Sequence, residues 1–335
     1  MKKIPLPNGT GLFVLYLALI IFFGMSSPYF FTTGNFINIL NNASVLGIIA
    51  IAMTFVIISG GIDLSVASVV ALTGVSTVQI YGHGAPVWLA VSCGMMIGIA
   101  AGLINGFLIT KLKINSLITT LGTMSIFRGL AFVLSGGLTN SMPDAGFGQL
   151  GRGRVEIFSL SVPYPLIILL LLFIFAYIVL KYSIFGRMVY SIGGNPEASR
   201  LAGIKVVNLQ MRIYVLAGVF SSFAGLVLTS QLAAGAPQAA TGIELSVIAA
   251  VILGGCSLVG GKGTMVGTFL GVLILGTVNN GLTIMNVSSY WQDVARGTVL
   301  LIAVGADQFR FGGLTKMFRR FSSPRSASGL QERAS

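Results

Sequence analysis

Apolar runs of about 15 to 25 residues follow one another along almost the whole chain, parted by short polar breaks. A helix needs roughly 20 predominantly apolar residues to cross the hydrocarbon core of a bilayer. On that scale the pattern predicts spans near 11–30, 44–60, 65–81, 87–109, 116–136, 162–181, 212–232, 243–261, 264–283 and 290–308. The expected fold is an all-α polytopic membrane protein of about ten transmembrane helices, with residues 1–335 forming one membrane domain. The first run, behind Lys2 and Lys3, resembles a signal peptide but lacks a small-residue cleavage site, so it reads as an uncleaved span. Two connecting segments are long enough to hold structure. The outer one, Leu138–Ser161, is glycine-rich and reads as an irregular cap. The inner one, 183–212, carries a helix signature. Asn195 can cap, Pro196 suits the first helical position, Glu197 favours the positive end of the helix dipole, and Gly203 can end the turn. A short helix over Pro196–Ala202 is therefore expected.

Composition removes the soluble alternatives. Charged residues are 8% of the chain, hydrophobic ones 55%, and the mean hydropathy is +0.93. A soluble domain carries about 25% charged residues. The 44 glycines fit helices that approach closely or break at membrane depth. A net charge of +12 could suggest nucleic acid, but the basic residues are spaced between apolar runs. They serve the positive-inside rule better: all but Arg128, Arg152, Arg154 and Arg296 of the twenty fall at breaks on one side. Both termini are then cytoplasmic, and the basic tail 310–335 lies near anionic lipid of the inner leaflet.

One acid and a double glycine sit between apolar runs at Gly60-Gly61-Ile62-Asp63-Leu64-Ser65-Val66, in a chain with only eight acids. An ionisable group at membrane depth is expensive, so a functional role is the first reading. The plainer one is a helix cap, with Gly60-Gly61 ending one helix and Asp63 opening the next. The stretch echoes at Ile243-Glu244-Leu245-Ser246-Val247, five spans later, and Gly98-x-x-x-Gly102 echoes at Gly267-x-x-x-Gly271. A shift of five spans reverses direction across the membrane. This predicts a five-plus-five inverted repeat, halves about 11–136 and 162–308, with a pathway between them. Arg128, within the fifth span, either snorkels or faces the bundle. Asp293 and Arg296 are spaced to neutralise each other on one helix face. The amides of Asn105, Asn279 and Asn280 can bond a sugar hydroxyl or a neighbouring helix. Asp63, Ser65, Asn105, Arg128 and Glu244 are the candidates for a translocation path or gate.

Enzyme chemistry is not supported. The single histidine, His83, cannot form a cluster, and Cys93 and Cys256 are too far apart for a metal motif. Gly260-Gly261-Lys262-Gly263-Thr264 resembles a phosphate loop only superficially, since Gly263 replaces the required hydroxyl residue and Cys256 the first glycine. No catalytic residue, cofactor or metal is predicted, and any ATP hydrolysis belongs to another subunit.

These motifs resemble those of the membrane permease subunits of bacterial ATP-binding cassette importers for monosaccharides, the ribose-permease type. The matching stretches are Gly60–Val66, Thr120-Leu121-Gly122-Thr123 with Phe127-Arg128-Gly129, Gly193–Ile204, and Ala249–Gly263 with its double glycines. They occur in order from the second span to the eighth. The resemblance implies a bacterial inner-membrane complex of two permease chains, a homodimer or a paralogue pair. Its other members are a cytoplasmic ATP-binding cassette subunit and a periplasmic or lipid-anchored sugar-binding protein. It also implies that Asn195, Pro196, Glu197, Ala198, Arg200, Leu201 and Gly203 form the coupling segment that docks on the ATPase. The competing class is an ion-coupled secondary transporter of a small neutral solute, with Asp63 or Glu244 binding the ion.

Overall fold

A computed structural model describes residues 10–142, 145–158 and 160–310; the expected basic tail falls outside them from residue 311 on. Ten long or apolar helices follow the predicted runs. They are α1 (Thr10–Ser26), α2 (Thr33–Ile58), α3 (Val66–Gly82), α4 (Val87–Thr110), α5 (Ser116–Ser135), α7 (Tyr164–Tyr182), α10 (Val206–Leu232), α11 (Ile243–Leu253), α12 (Met265–Ile284) and α13 (Ser289–Arg310). Six of these, α2, α4, α5, α7, α10 and α12, are long and apolar enough to cross a membrane, while α1, α3 and α11 are shorter apolar helices.

Four expectations need correction. First, α2 starts eleven residues before position 44. Its opening turns contain Asn35, Asn38, Asn41 and Asn42, which lower hydropathy without breaking the helix. Thr32 caps it by accepting from Asn35 N–H, and the Asn35 amide donates to Phe30 O at 2.9 Å. Second, α11 stops at Leu253 rather than near 261. Gly255, at φ +91°, donates to Ile252 O while Cys256 donates to Val251 O, a Schellman stop. Third, the outer segment is ordered where it is described. It holds a short strand β1 (Asn140–Ser141), helix α6 (Ala145–Arg152) and a hairpin of β2 (Arg154–Ile157) with β3 (Leu160–Pro163). Strand β1 pairs with β4 (Ala234–Gly235), just beyond α10. Fourth, the inner segment carries an unforeseen amphipathic helix, α8 (Ile184–Gly194), before the expected short one, α9 (Pro196–Leu201).

The core is built around α2. Every residue from Ala43 to Ile58 is buried, and a helix apolar on all sides belongs inside a bundle. It packs against α7, α10, α11 and α12, while α10 lies against α2, α3 and α4. Helix α3 is held between α4, α5 and α10, and α11 between α2, α12 and α13. Small residues set the closest approaches, as expected where no hydrophobic force draws helices together. A Cβ on Gly98 of α4 would collide with Gly218 O of α10, and one on Gly218 with Gly98 O. In the second half, a Cβ on Gly271 of α12 would collide with Ala250 O of α11. The two Gly-x-x-x-Gly motifs therefore hold non-equivalent pairs, α4–α10 and α11–α12. Exposed apolar side chains such as Ile118, Val133, Leu171 and Phe175 cover the outward faces of α5 and α7.

Candidate functional site

The predicted site residues gather at two places. The first is the break between α2 and α3. Helix α2 ends in a Schellman motif: Gly60 at φ +84° donates to Ile57 O at 2.9 Å, and Gly61 donates to Val56 O at 3.0 Å. Asp63 follows, 2% exposed. It is not the N-cap of α3; Ser65 holds that position and makes no side-chain cap bond. Instead Asp63 Oδ1 accepts from Ser65 N–H at 2.9 Å and from the Ser65 hydroxyl at 2.6 Å, an Asx turn that fixes the entry into α3. The Asn105 amide, from α4, donates to Ser65 Oγ at 2.8 Å. Asp63, Ser65 and Asn105, forty residues apart in sequence, are thus one buried polar network.

Tyr214 of α10 completes its surroundings. Its hydroxyl is buried, lies against Gly61 so closely that a Cβ there would sit 2.5 Å away, and has no hydrogen-bond partner in the protein. Sequence reasoning passed over this tyrosine because a lone aromatic in an apolar span looks like packing. No signal in the chain marks it.

The second gathering is at the other ends of these helices. Arg128, half-buried on α5, donates through Nη1 to Pro237 O at 2.6 Å and to Ala239 O at 2.8 Å. It therefore clasps the loop between α10 and α11. Glu244 lies close enough to Arg128 to interact with its charge. Within the first turn of α11, behind Gly242 at φ +82°, Glu244 is part of the helix and leaves Oε2 buried without a protein partner. The sequence echo with Asp63 is thus not a geometric one: Asp63 precedes its helix by three residues, and Glu244 is the second residue of its own. Arg296 pairs with Asp293 at 3.0 Å, three apart on α13 as expected, and its Nη1 lies near Gly242.

Arg128→Ala should leave the two carbonyls unpaired at a cost of about 3 kcal/mol, since hydrogen bonds to a charged donor contribute about 1.5–3 each. The expected result is a lower melting temperature and faster proteolysis between 234 and 242, with Arg128→Lys intermediate. Unchanged cleavage would remove the clasp from consideration.

The α8–α9 corner is the third element. Asn195 caps α9, its Oδ1 accepting from Ala198 N–H at 3.0 Å, and Pro196 takes the first position. Gly203 at φ +86° turns the chain away. Glu197 and Arg200 pair at 3.2 Å on the exposed face, and Leu201 is 90% exposed. Ser199 points inward, its hydroxyl 2.8 Å from that of Ser191 on α8.

Backbone ties this corner to the break. A Cβ on Gly193 would overlap Ile58 O, and Gly261 N–H donates to that same carbonyl at 2.8 Å. Gly260, at φ +90°, lies against both Gly193 and Gly60. The loop that resembled a phosphate cradle is therefore a wedge. Its Gly261 donor is spent on the last carbonyl of α2, Gly263 O accepts from the Tyr190 hydroxyl at 2.8 Å, and Thr264 caps α12. Asn280 bonds Asn35 Oδ1 at 2.9 Å, a bridge between α12 and α2.

Comparison with known proteins gives a consistent answer. A family model described as the permease component of the branched-chain amino acid transport system matches residues 35–304. The ribose import permease protein of Bacillus subtilis (strain 168) is 44% identical over 300 residues, covering 89% of this chain and 91% of that protein. The ribose import permease protein of Haemophilus influenzae Rd is 40% identical over 301 residues, covering 89% and 92%. The L-arabinose ABC transporter permease protein of Azospirillum brasilense is 38% identical over 303 residues, covering 90% and 88%. No solved structure matches the chain.

Proposed function

The chain belongs to the family of transport-system permease components, and from that premise we propose that it is the membrane-spanning subunit of an ATP-driven importer for a monosaccharide. It is a multi-pass membrane protein and a transporter subunit, not an enzyme. The sugar reading rests on the ribose and arabinose permeases at about 40% identity over nine-tenths of their lengths. An ion-coupled carrier has no comparable support.

In this reading ten spans cross a bacterial inner membrane with both ends in the cytoplasm. The packing pattern supports two halves of five, about 11–136 and 162–308. Adding five spans to α3–α4, α3–α5, α3–α10 and α4–α10 yields α11–α12, α11–α13, α11–α2 and α12–α2, and all four of those pairs are in contact. Halves so related can rock about a shared axis.

The observation that carries the mechanism is the backbone contact of Gly193, the α8 residue three positions before α9, with the last carbonyl of α2, beside the packing of Phe185 of α8 on Phe55 of α2. Docked on a cytoplasmic ATP-binding cassette subunit, the segment Asn195–Gly203 moves with it. Gly193 and Gly261 pass that motion to the end of α2, because glycine backbones in contact leave no side chain to yield. The Asp63–Ser65–Asn105 network then acts as the inner gate and the Arg128 clasp with Glu244 as the outer one. A second permease chain and a periplasmic or lipid-anchored sugar-binding protein complete the complex.

The test is uptake into proteoliposomes holding the chain, its cassette subunit and its binding protein. Labelled ribose or arabinose should accumulate with internal-face ATP and resist an ionophore. Collapse with the ionophore would indicate an ion-coupled carrier. Leucine uptake instead would return the chain to the solute in the family description.

A further inference from the structure

A carboxylate buried in a bundle of apolar helices needs compensating charge, because desolvation favours its neutral form. At the α2–α3 break the protein supplies little. Asp63 receives only the neutral donors of Ser65, with the Asn105 amide close by. From α10 the titratable neighbour is Tyr214, with Ser116 of α5 near its hydroxyl but not bonded to it. At the end of α2, the Ser59 hydroxyl is spent on Val56 O. The ion pairs among the described residues are Glu197–Arg200 and Asp293–Arg296, and neither involves Asp63. The N-terminus of α3 offers about half a positive charge. Two further polar atoms stand in the same place without a protein partner: Asn105 Oδ1, in a residue 1% exposed, and the Tyr214 hydroxyl, in a residue 2% exposed.

We propose that this cluster is a binding site for one positive charge taken from solvent, a proton on the Asp63 carboxyl or a sodium ion among the oxygens of Asp63, Ser65, Asn105 and Tyr214. Either source completes the site by the same chemistry. A proton turns the carboxylate into a donor that can serve the Asn105 carbonyl or the Tyr214 hydroxyl. A sodium ion takes the same oxygens as hard ligands, as half-helix ends in membranes do. The charge resides in the closed break and is not cargo. The inference stands whichever solute is carried.

The experiment is thermal unfolding of the purified full chain in nanodiscs, scanned in pH and, separately, in sodium against choline at constant ionic strength. The wild type is compared with Asp63→Asn, a near-isostere that needs no compensation, and with Tyr214→Phe. If the folded chain holds a proton that the unfolded chain releases, it binds more protons than the unfolded one above the ordinary carboxylate range. Stability then falls as pH rises, and Asp63→Asn removes that slope. If the site holds sodium, the wild type gains about 2 °C or more with saturating sodium, Asp63→Asn loses the gain and Tyr214→Phe needs more sodium for it. Identical pH and sodium responses in wild type and Asp63→Asn would overturn the proposal. Should Asp63→Asn fail to fold, infrared spectroscopy of wild type with isotope-labelled aspartate decides for the proton, and its sodium response decides for the cation. Absence of both a protonated-aspartate band and a sodium shift would equally overturn it.

Discussion

Leu201→Asp should leave the chain folded in the membrane and abolish recovery of the cassette subunit proposed to dock on α9. Leu201 lies at the end of α9, 90% exposed, in a turn held rigid by the Asn195 cap and by Ser199 against Ser191. A large aliphatic side chain presented on an ordered turn is costly to expose unless a partner covers it. On the proposed docking a cassette groove would bury it as an anchor, and truncating such an anchor costs about 2 kcal/mol or more. That is roughly a thirtyfold loss of affinity, and an acid in its place adds the desolvation of a charge. Pull-down of the tagged chain from its native membrane should recover the cassette subunit with wild type and lose it with Leu201→Asp, and sugar uptake should fall to background. Asn195→Ala, which removes only the cap, should cost about 1 kcal/mol and reduce uptake partially. Normal cassette recovery with Leu201→Asp would exclude α9 as the docking segment.

Gly218→Val should have the largest effect on folding. The α4 and α10 backbones touch at Gly98 and Gly218, each glycine's missing Cβ pointing at the other's carbonyl. Overpacking a side chain usually costs about 1–3 kcal/mol because neighbours shift. Here the neighbour is helix backbone, which cannot turn aside, so the helices must separate and lose the contacts along the whole α4–α10 seam. The expected outcome is a chain that fails to elute as a single species and is degraded in the cell. Gly129→Ala is the matched control. Its Cβ would meet nothing within 4 Å, so the fold should survive with a change of about 1 kcal/mol or less. A well-behaved Gly218→Val would contradict the helix approach itself.

Much of this molecule was legible in the chain. The spans follow from hydropathy because a bilayer leaves backbone groups no partner except within a helix. The cap at Asn195, the stop at Gly60-Gly61 and the pairing of Asp293 with Arg296 follow from local rules that act over a few residues. The misreadings came where a local rule met a distant partner. Four asparagines made the start of α2 look like a loop until Asn35 found Phe30 O and Asn280. The echo of Asp63 in Glu244 promised equivalent positions in the two halves of a repeat. One acid lies outside its helix and the other within, because α11 starts directly after Gly242 whereas residues 62–64 stay outside any helix and lead into the Asx turn.

The sequence by itself determined the ten long or apolar helices, the break at Gly60-Gly61, the cap at Asn195 and the polar residues beside them, since these are settled by hydrophobicity and by hydrogen bonds within a turn. Only the tertiary structure decided which of these places meet. The joining of Asp63 to Asn105, of Tyr214 to Gly61, of Arg128 to the carbonyls of Pro237 and Ala239, and of Gly193 to Ile58 and Gly261 depends on helix order and on backbone approach. Neither leaves a trace in the spacing of residues along the chain, because a glycine in contact and a glycine in open space are the same letter.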